Sequence, residues 1–268
     1  MASPADRTRT IAVFCDFENL AIGVREAKYD KFNMNKVLDC LKVEGSIVVK
    51  KAYCDWERYK GFKNTMHEAA FEMIDIPHVS QSGKNSADIR MVVDALDLCY
   101  MKSHVDTFAI VSGDSDFSPL VSKLRENNKV VIGVGVKQST SNLFIGNCDE
   151  FIFYDDLVRE EEKAKARAAK ARAEAKPPAA EKKAGGDPEK ALQLVVDTVE
   201  AMLARSGSDA VWAGPVKQAI RRLQPQFDER FYGFSTFSAL LEAAASRGLM
   251  KLEKNENGYR IKATAHEG

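Results

Sequence analysis

The chain has 268 residues, enough for one or two domains with buried cores. Hydrophobic residues make up 45% and charged residues 29%, as in an ordinary soluble globular protein, and the formal net charge is zero. The chain therefore has no overall positive charge of the kind that would indicate a nucleic-acid partner. The segment MASPADRTRT lacks an apolar region, and no run approaches the ~18 apolar residues of a membrane span. The sequence predicts neither a signal peptide nor membrane attachment.

The cysteines and the local charge refine this view. Five cysteines lie in or beside apolar runs without C-x-x-C spacing, namely Cys15, Cys40, Cys54, Cys99 and Cys148. They predict reduced core residues in a cytoplasmic protein, not a zinc site or a disulfide framework. Residues 1–158 carry 23 Asp and Glu against 19 Lys and Arg, so this segment has an acidic excess.

Short apolar runs alternate with helical patterns through residue 156. The strand candidates are IAVFC, SIVVKKAYC, IDIPHVS, TFAIVS, KVVIGVGV and EFIFY. Several are continuous rather than alternating, which is typical of strands covered on both faces. Apolar residues between them recur at helical spacing, including a segment from Phe62 to Met73 and one expected to begin with Ser118 as N-cap and Pro119 as first helical residue. This alternation predicts an α/β fold with a mostly parallel sheet.

The second half changes in composition. Residues 158–187 are rich in Ala, Lys and Glu, with Pro177-Pro178 and Gly185-Gly186 near the end. We interpret them as a helical-to-flexible linker, with contact to nucleic acid through its basic charge as the less favoured alternative. Residues 188–262 contain three amphipathic segments, the first starting at Pro188, and two short strands around an Asn/Gly turn. That is the plan of a small winged helix-turn-helix domain.

Four aspartates fall where apolar runs give way to turns or helix starts. Asp16 follows IAVFC, Asp114 and Asp116 follow TFAIVS within SGDSDF, and Asp88 heads the helix ADIRMVVDALDLCYM. Ligands of parallel α/β sheets bind beyond the carboxyl ends of the strands. Four carboxylates at close range repel strongly unless divalent cations lie among them, and Mg²⁺ and Mn²⁺ prefer oxygen ligands. The pattern predicts metal-assisted phosphodiester chemistry.

Each of these features has a simpler interpretation. Asp16 could serve only as a helix N-cap, and SGDSDF only as an Asx-type turn. Asn19, behind Asp16, is a candidate for holding a metal-bound water or a substrate oxygen. Lys84 could meet a phosphate or be a plain surface lysine, and Ser139, in KQSTSNLF, could grip a phosphate or belong to ordinary capping.

The larger α/β segment resembles the NYN-domain family, relatives of PIN-like and flap-nuclease folds. The resemblance covers residues 10–157 and rests on VFCDFENL, KNSADIRMVVDAL, SGDSDF and CDEFIFYDDL. It implies a PIN-like three-layer fold and a metal-dependent ribonuclease with a clustered acidic site. The matching positions are Asp16, Asp88, Asp114 and Asp116 as metal ligands and catalytic residues, with Asn19 as an auxiliary.

Residues 188–262 resemble the LOTUS (OST-HTH) family, on VWAGPVKQAIRRLQPQFDERFYGFSTFSALLE and LMKLEKNENGYRI. The resemblance implies a winged-helix module that binds RNA. The cations proposed to contact RNA are Lys217, Arg221, Arg222, Lys251 and Arg260, although the segment is nearly neutral overall. A protein–protein module with scattered charges is the alternative for this domain.

The leading hypothesis is a hydrolase that cuts single-stranded or structured RNA with Mg²⁺ or Mn²⁺ at the four aspartates. Its alternative is a catalytically idle RNA-binding or adaptor protein with an NYN fold. A phosphatase of the haloacid-dehalogenase type is disfavoured, because it needs an aspartate two residues after Asp16 and Glu18 stands there.

Overall fold

The computed structural model describes residues 8–29, 32–77, 85–162, 186–255 and 258–263. These residues form two compact units, one around a six-stranded sheet and one from residue 186 onward. No helix in this part of the chain is long and apolar enough to cross a membrane. The five cysteines are free, and Cys15, Cys54 and Cys99 are buried.

The strands of the large sheet are β1 (Arg9–Asp16), β2 (Gly45–Cys54), β3 (Glu72–Asp75), β4 (Thr107–Val111), β5 (Val130–Gly135) and β6 (Glu150–Phe153). Their order in the sheet is β3-β2-β1-β4-β5-β6. The pairs β1–β4, β4–β5, β5–β6 and β2–β3 are all parallel. The mostly parallel sheet expected from the continuous apolar runs is confirmed.

Helices cover both faces of this sheet. They are α1 (Phe17–Glu26), α2 (Met34–Glu44), α3 (Lys63–Glu68), α4 (Ser86–Met101), α5 (Ser118–Glu126), α6 (Asn142–Asn147) and α7 over residues 154–162. Side chains alternate along β1, so Ile11, Val13 and Cys15 pack with α1, α2 and α3, while Ala12 and Phe14 pack with α4, α5 and α6. The result is the three-layer α/β fold that the sequence predicts.

Two local predictions are wrong. The helix predicted from Phe62 to Met73 ends at Glu68, because Ala70 adopts a left-handed φ of 56° and Met73 already lies in β3. Ser118 does not cap α5, because a 3-10 turn at Ser115–Phe117 runs straight into the helix and makes Phe117 the N-cap residue. The C-terminal part of the predicted strand IDIPHVS, from His78 on, lies outside the described residues.

The smaller unit consists of α8 (Pro188–Ser206), β7 (Val211–Trp212), α9 (Ala213–Leu223), α10 (Phe237–Ser246), β8 (Met250–Asn255) and β9 (Gly258–Ala263). As predicted, Pro188 begins α8, and Asp187 caps it by accepting the Glu189 N–H at 3.1 Å. The three helices pack around Val195, Ile220, Leu241 and Ile261. The antiparallel hairpin β8–β9 is joined by β7, a short strand that the sequence did not predict, giving a small three-stranded wing.

Candidate active site at the carboxyl ends of β1 and β4

The neighbouring strands β1 and β4 end side by side. Cys15 pairs with Val111, so Asp16 and Ser112 leave the sheet at the same edge. From β1 the sheet continues outward through β2 and β3, and from β4 it continues the other way through β5 and β6. A crevice opens at such a point of divergence, and ligands of open α/β sheets bind there.

Asp16 joins the two strand ends. It is buried, with 8% of its surface exposed. Its Oδ1 accepts the backbone N–H of Asn19 at 3.2 Å, which makes Asp16 the N-cap of α1, and its Oδ2 accepts the Ser112 hydroxyl at 3.1 Å. The Ser112 Oγ in turn accepts the Asp114 N–H at 3.2 Å. The capping interpretation of Asp16 is therefore correct, but it accounts for only one carboxylate oxygen.

Asn19 holds the loop that carries the second acidic motif. Its Oδ1 accepts the Gly113 N–H at 2.8 Å, and the Gly113 carbonyl accepts the Ser141 N–H at 2.9 Å. A Cβ on Gly113 would lie 2.5 Å from the Ser139 carbonyl oxygen, so a backbone segment excludes any larger residue there. Asn19 thus positions the loop, and its predicted auxiliary role in catalysis stays a prediction.

Within SGDSDF the first aspartate caps the turn and the second faces outward. The Asp114 Oδ1 accepts the Asp116 N–H at 2.9 Å, so the Asx-turn interpretation is correct for Asp114. Asp116 is exposed and lines two shallow grooves. One of these grooves also contains Asp88, together with Ile89 and Val93 of α4. Asp88 and Asp116 therefore share one surface.

The four carboxyl groups interact electrostatically. Burial, with a further contribution from the charge of Asp88, raises the pKa of Asp16 from 3.8 to about 7, and the hydrogen bonds from Asn19 and Ser112 only partly oppose this. Burial also raises the pKa of Asp88, followed by the negative charges of Asp114 and Asp116. Glu18 adds to the repulsion, although it pairs with Arg58 at 3.1 Å. The site concentrates negative charge.

The donor chemistry of this site fits a divalent cation. Carboxylate oxygens are the ligands that Mg²⁺ and Mn²⁺ prefer, and every charge named as acting on Asp16 and Asp88 is negative. Among the described residues, however, no three Asp, Glu, His or Cys side chains lie close enough to hold a metal ion as they stand.

The other predicted residues of this unit differ in their surroundings. Lys84 lies outside the described residues. Ser139 is half-buried beside α1, where a Cβ on Gly23 would lie 2.3 Å from its Oγ. The N-cap of α6 is Ser141, whose side chain accepts the Leu143 N–H at 3.2 Å. The RNA-binding role predicted for Lys84 and Ser139 stays a prediction.

Asp94, a second acid on α4, has a structural role. Its side chain is only 12% exposed and accepts the Tyr53 hydroxyl at 2.9 Å. It also pairs with Lys51 at 3.3 Å and with Arg90 at 3.0 Å. Lys51 and Tyr53 lie on β2, so only the tertiary fold reveals this network. Asp97, on the same helix, is exposed.

In the smaller unit the predicted cations fall into three groups. Lys217 is engaged, because it pairs with Glu229 at 2.8 Å and its Nζ lies 5.4 Å from the centre of the Phe237 ring. Arg221 and Lys251 are exposed, while Arg222 and Arg260 are half-buried. Arg260 lies opposite Trp212 of β7, an exposed aromatic residue that sequence reasoning missed because β7 was not predicted.

Comparison with protein families agrees with this architecture. Residues 10–155 match the NYN domain and residues 190–258 match the OST-HTH/LOTUS domain. The NYN match spans more than half of the chain, and the chain belongs to the NYN-domain family. NYN and PIN-like nucleases generally use divalent metal ions. The domain boundaries predicted above, at residues 157 and 188, stay predictions.

Two individual proteins are similar to parts of the chain. An uncharacterised protein of Methanocaldococcus jannaschii is 30% identical over 109 residues, which are 41% of this chain and 42% of that protein. The chain thus spans well under half of the length of this relative. A crystal structure of a protein of unknown function from Vibrio parahaemolyticus is 29% identical, with a TM-score of 0.50, and covers 59% of this chain and 98% of its own.

Proposed function

We propose that the protein is a metal-dependent ribonuclease that hydrolyses RNA phosphodiester bonds at Asp16, Asp88, Asp114 and Asp116. The observation that carries the proposal is the placement of acidic side chains beyond the carboxyl ends of β1 and β4, where Asp16 leaves the sheet beside Ser112 and Asp88 shares one surface with Asp116. Repelling carboxylates beside a buried aspartate are destabilising in the free protein. Their placement is explained if they hold Mg²⁺ or Mn²⁺ during the reaction.

The chain's own residues would divide the work by their position. Asp16 is fixed by the Asn19 N–H and the Ser112 hydroxyl, so its carboxylate is held in one orientation at the base of the crevice. Asp88 and Asp116 line the surface above, where a phosphodiester can approach. The chemistry that a bound ion supplies is a lowered pKa of the attacking water and an offset of charge on the phosphate. Asn19 and Gly113 keep the two strand ends in register.

The proposed RNA-binding surface of the smaller unit is its outer wing face, defined as Trp212, Lys251, Glu253, Arg260 and Lys262. Cross-strand partners share a face of a sheet, and the register pairs Trp212 with Arg260, Glu253 with Arg260 and Lys251 with Lys262. On this face Lys262 pairs with Glu253, so Lys251 and Arg260 are the cations left to meet phosphate. An exposed tryptophan beside an arginine offers stacking to an unpaired base.

Linking the two activities on one chain raises the local concentration of RNA at the acidic site. Weak RNA binding by the smaller unit is then sufficient, since the contact of the bound RNA with the acidic site becomes intramolecular. The near-neutral charge of the smaller unit is consistent with such a modest contribution. Protein recognition by this unit is the alternative that an absence of RNA binding would favour.

The test of the proposed function is cleavage of end-labelled single-stranded RNA by the full chain with and without Mn²⁺ or Mg²⁺. Asp114→Asn removes a charge but retains the Oδ1 that accepts the Asp116 N–H, so the turn should survive. We expect metal-dependent cleavage by the parent and a loss of about 100-fold or more in the variant. RNA binding without cleavage under any metal condition would instead support the catalytically idle adaptor.

A further inference from the structure

One side of α4 exposes large apolar side chains to solvent. Ile89 is 63% exposed, Val93 56% and Tyr100 62%. At about 100° per residue, these side chains and the half-buried Leu96 lie within about 60° of one another around the helix axis. We call these four residues the α4 stripe, which at about 1.5 Å per residue is about 16 Å long.

The fold of the larger unit does not account for the α4 stripe. Another side of the helix already packs into the core through Met91, Ala95 and Cys99, which are buried. A helix at the surface of a globular protein usually has one apolar side toward the core and polar residues on the side toward water. On α4 the side toward water is apolar as well, and a contiguous exposed apolar surface is typical of an interaction site.

The proposed RNA site accounts for only one end of the α4 stripe. The shallow groove of the acidic site is lined by Ile89 and Val93 but, among the described residues, not by Tyr100. Tyr100 lies seven residues after Val93, about 10 Å further along the helix. A partner that covers the whole stripe therefore runs along α4 instead of binding within the groove.

The spacing of the α4 stripe is symmetric about its middle. Ile89 and Tyr100 are equally far from the midpoint of the stripe, and so are Val93 and Leu96. The intervals of four, three and four residues are those of the seam between two packed helices. An antiparallel second copy of α4 would place Ile89 opposite Tyr100 and Val93 opposite Leu96, in both directions, as a twofold-symmetric interface requires.

The charges beside the α4 stripe favour the same antiparallel arrangement. Arg90 and Asp97 are exposed and lie on the same side of the stripe, seven residues apart. In the antiparallel pair, the same sides of the two helices meet, so Arg90 of each copy lies close to Asp97 of the other. A parallel pair would put these charges on opposite sides of the interface. Complementary charges beside an apolar seam select the orientation of paired helices.

We propose that a second copy of this chain docks on the α4 stripe, with the two α4 helices antiparallel. One helix from each copy makes a small interface, so the dimer is weak, with a dissociation constant on the order of 1–100 μM. The interface is independent of the proposed ribonuclease function, because Asp88 lies about 100° round the helix from Ile89, at the edge of the contact. At nanomolar enzyme the chain is monomeric, so cleavage measured there reports a single copy.

The first experiment is sedimentation equilibrium of the full chain between about 1 and 200 μM, a range that brackets the expected dissociation constant. Val93→Glu places a carboxylate in the middle of the seam and should weaken the dimer at least tenfold, as estimated roughly from the cost of burying a charge. Val48→Glu is the matched control, because Val48 is 50% exposed on β2, outside the stripe. It should leave the dimer unchanged. Both variants should retain the melting temperature of the parent, since both positions are exposed.

The second experiment tests the antiparallel orientation through charge. Arg90→Asp leaves only acids beside the stripe and Asp97→Arg leaves only cations, so each variant alone should associate more weakly than the parent. In an equimolar mixture both contacts between the two variants are complementary. The mixed dimer should therefore form about tenfold more tightly than either variant alone, measured by fluorescence anisotropy with one variant labelled.

Three results would each overturn the inference. They are a parent that stays monomeric at the highest concentration, equal effects of Val93→Glu and Val48→Glu, and a mixture of the charge variants that associates no more tightly than each variant alone. A monomeric parent would assign the α4 stripe to RNA or to a different protein. Loss of cleavage in any of these variants at nanomolar enzyme bears on the proposed ribonuclease and not on the dimer.

Discussion

Replacing Asp16 by asparagine should stabilise the metal-free protein at alkaline pH. Burial raises the pKa of Asp16 from 3.8 to about 7, so ionising this group in the folded state costs about 4 kcal/mol more than in the unfolded chain. The amide of Asp16→Asn would keep the bond from the Asn19 N–H but lose the one from the Ser112 hydroxyl, a loss of about 1 kcal/mol. We expect a net gain of about 2–3 kcal/mol at pH 8.5.

The stability gain of Asp16→Asn depends on pH. Because the folded-state pKa is raised, the native protein binds more protons than the unfolded chain between about pH 4 and pH 7, so its stability declines as pH rises through that window. The variant cannot titrate at this position. Its advantage should therefore shrink below about 1 kcal/mol near pH 4 and reach its full value above pH 7.

The assay is urea unfolding in EDTA, followed by tryptophan fluorescence. The chain has two tryptophans, so a Trp212→Phe background leaves Trp56, which is 2% exposed and packs 5.2 Å from the Phe17 ring, as reporter of the larger unit alone. In Mn²⁺ at about 1,000 times its Kd the order should reverse, because the bound ligand then stabilises the parent by about 4 kcal/mol. The reasoning is refuted if Asp16→Asn is less stable than the parent at pH 8.5, or if the difference does not vary with pH.

Three further predictions concern other parts of the chain. Gly113→Ala should destabilise the larger unit by about 1–3 kcal/mol in the same assay, because a Cβ there meets the Ser139 carbonyl oxygen. Gly146→Ala is the control and should not destabilise it, because the space around Gly146 is open. Equal effects of the two substitutions would contradict the close approach at Gly113. Trp212→Ala and Arg221→Glu should each weaken RNA binding by residues 186–268 about threefold to tenfold, and Arg221→Glu should also flatten its salt dependence, as measured by anisotropy between about 50 and 200 mM salt. Cleavage of the chain within Pro177–Gly186 should leave two folded fragments, checked by circular dichroism, and an unfolded fragment 1–158 would contradict the predicted boundary.

How much of this structure the sequence predicts depends on the range of the interactions. The runs IAVFC and TFAIVS are continuous and apolar, and they became the buried strands β1 and β4. Their spacing with helices predicts parallel pairing, and with it the shared edge at which Asp16 and Ser112 lie. Features set by periodicity and strand direction are therefore predictable.

Features that depend on tertiary contacts cannot be predicted from the sequence. Serine is a common helix-cap residue, but the 3-10 turn before Ser118 makes this residue helical. Its Oγ is left without a partner among the described residues. Asp94 lies on a helix face that looks solvated until Lys51 and Tyr53 of β2 approach it. Only the pairing of β7 with β9 in the structure shows that Trp212 belongs to the wing. Each case depends on the tertiary arrangement of the chain.

The measurement that tests the central claim most directly is the initial rate of RNA cleavage as a function of Mn²⁺ concentration for the parent, Asp88→Asn and Asp97→Asn. Both aspartates lie on α4, but Asp88 is among the coupled carboxyl groups and Asp97 is exposed outside them. We predict saturable, Mn²⁺-dependent cleavage that Asp97→Asn leaves unchanged and Asp88→Asn reduces by about 100-fold or shifts to much higher Mn²⁺. Cleavage at the parental rate and Mn²⁺ dependence by Asp88→Asn would contradict the account.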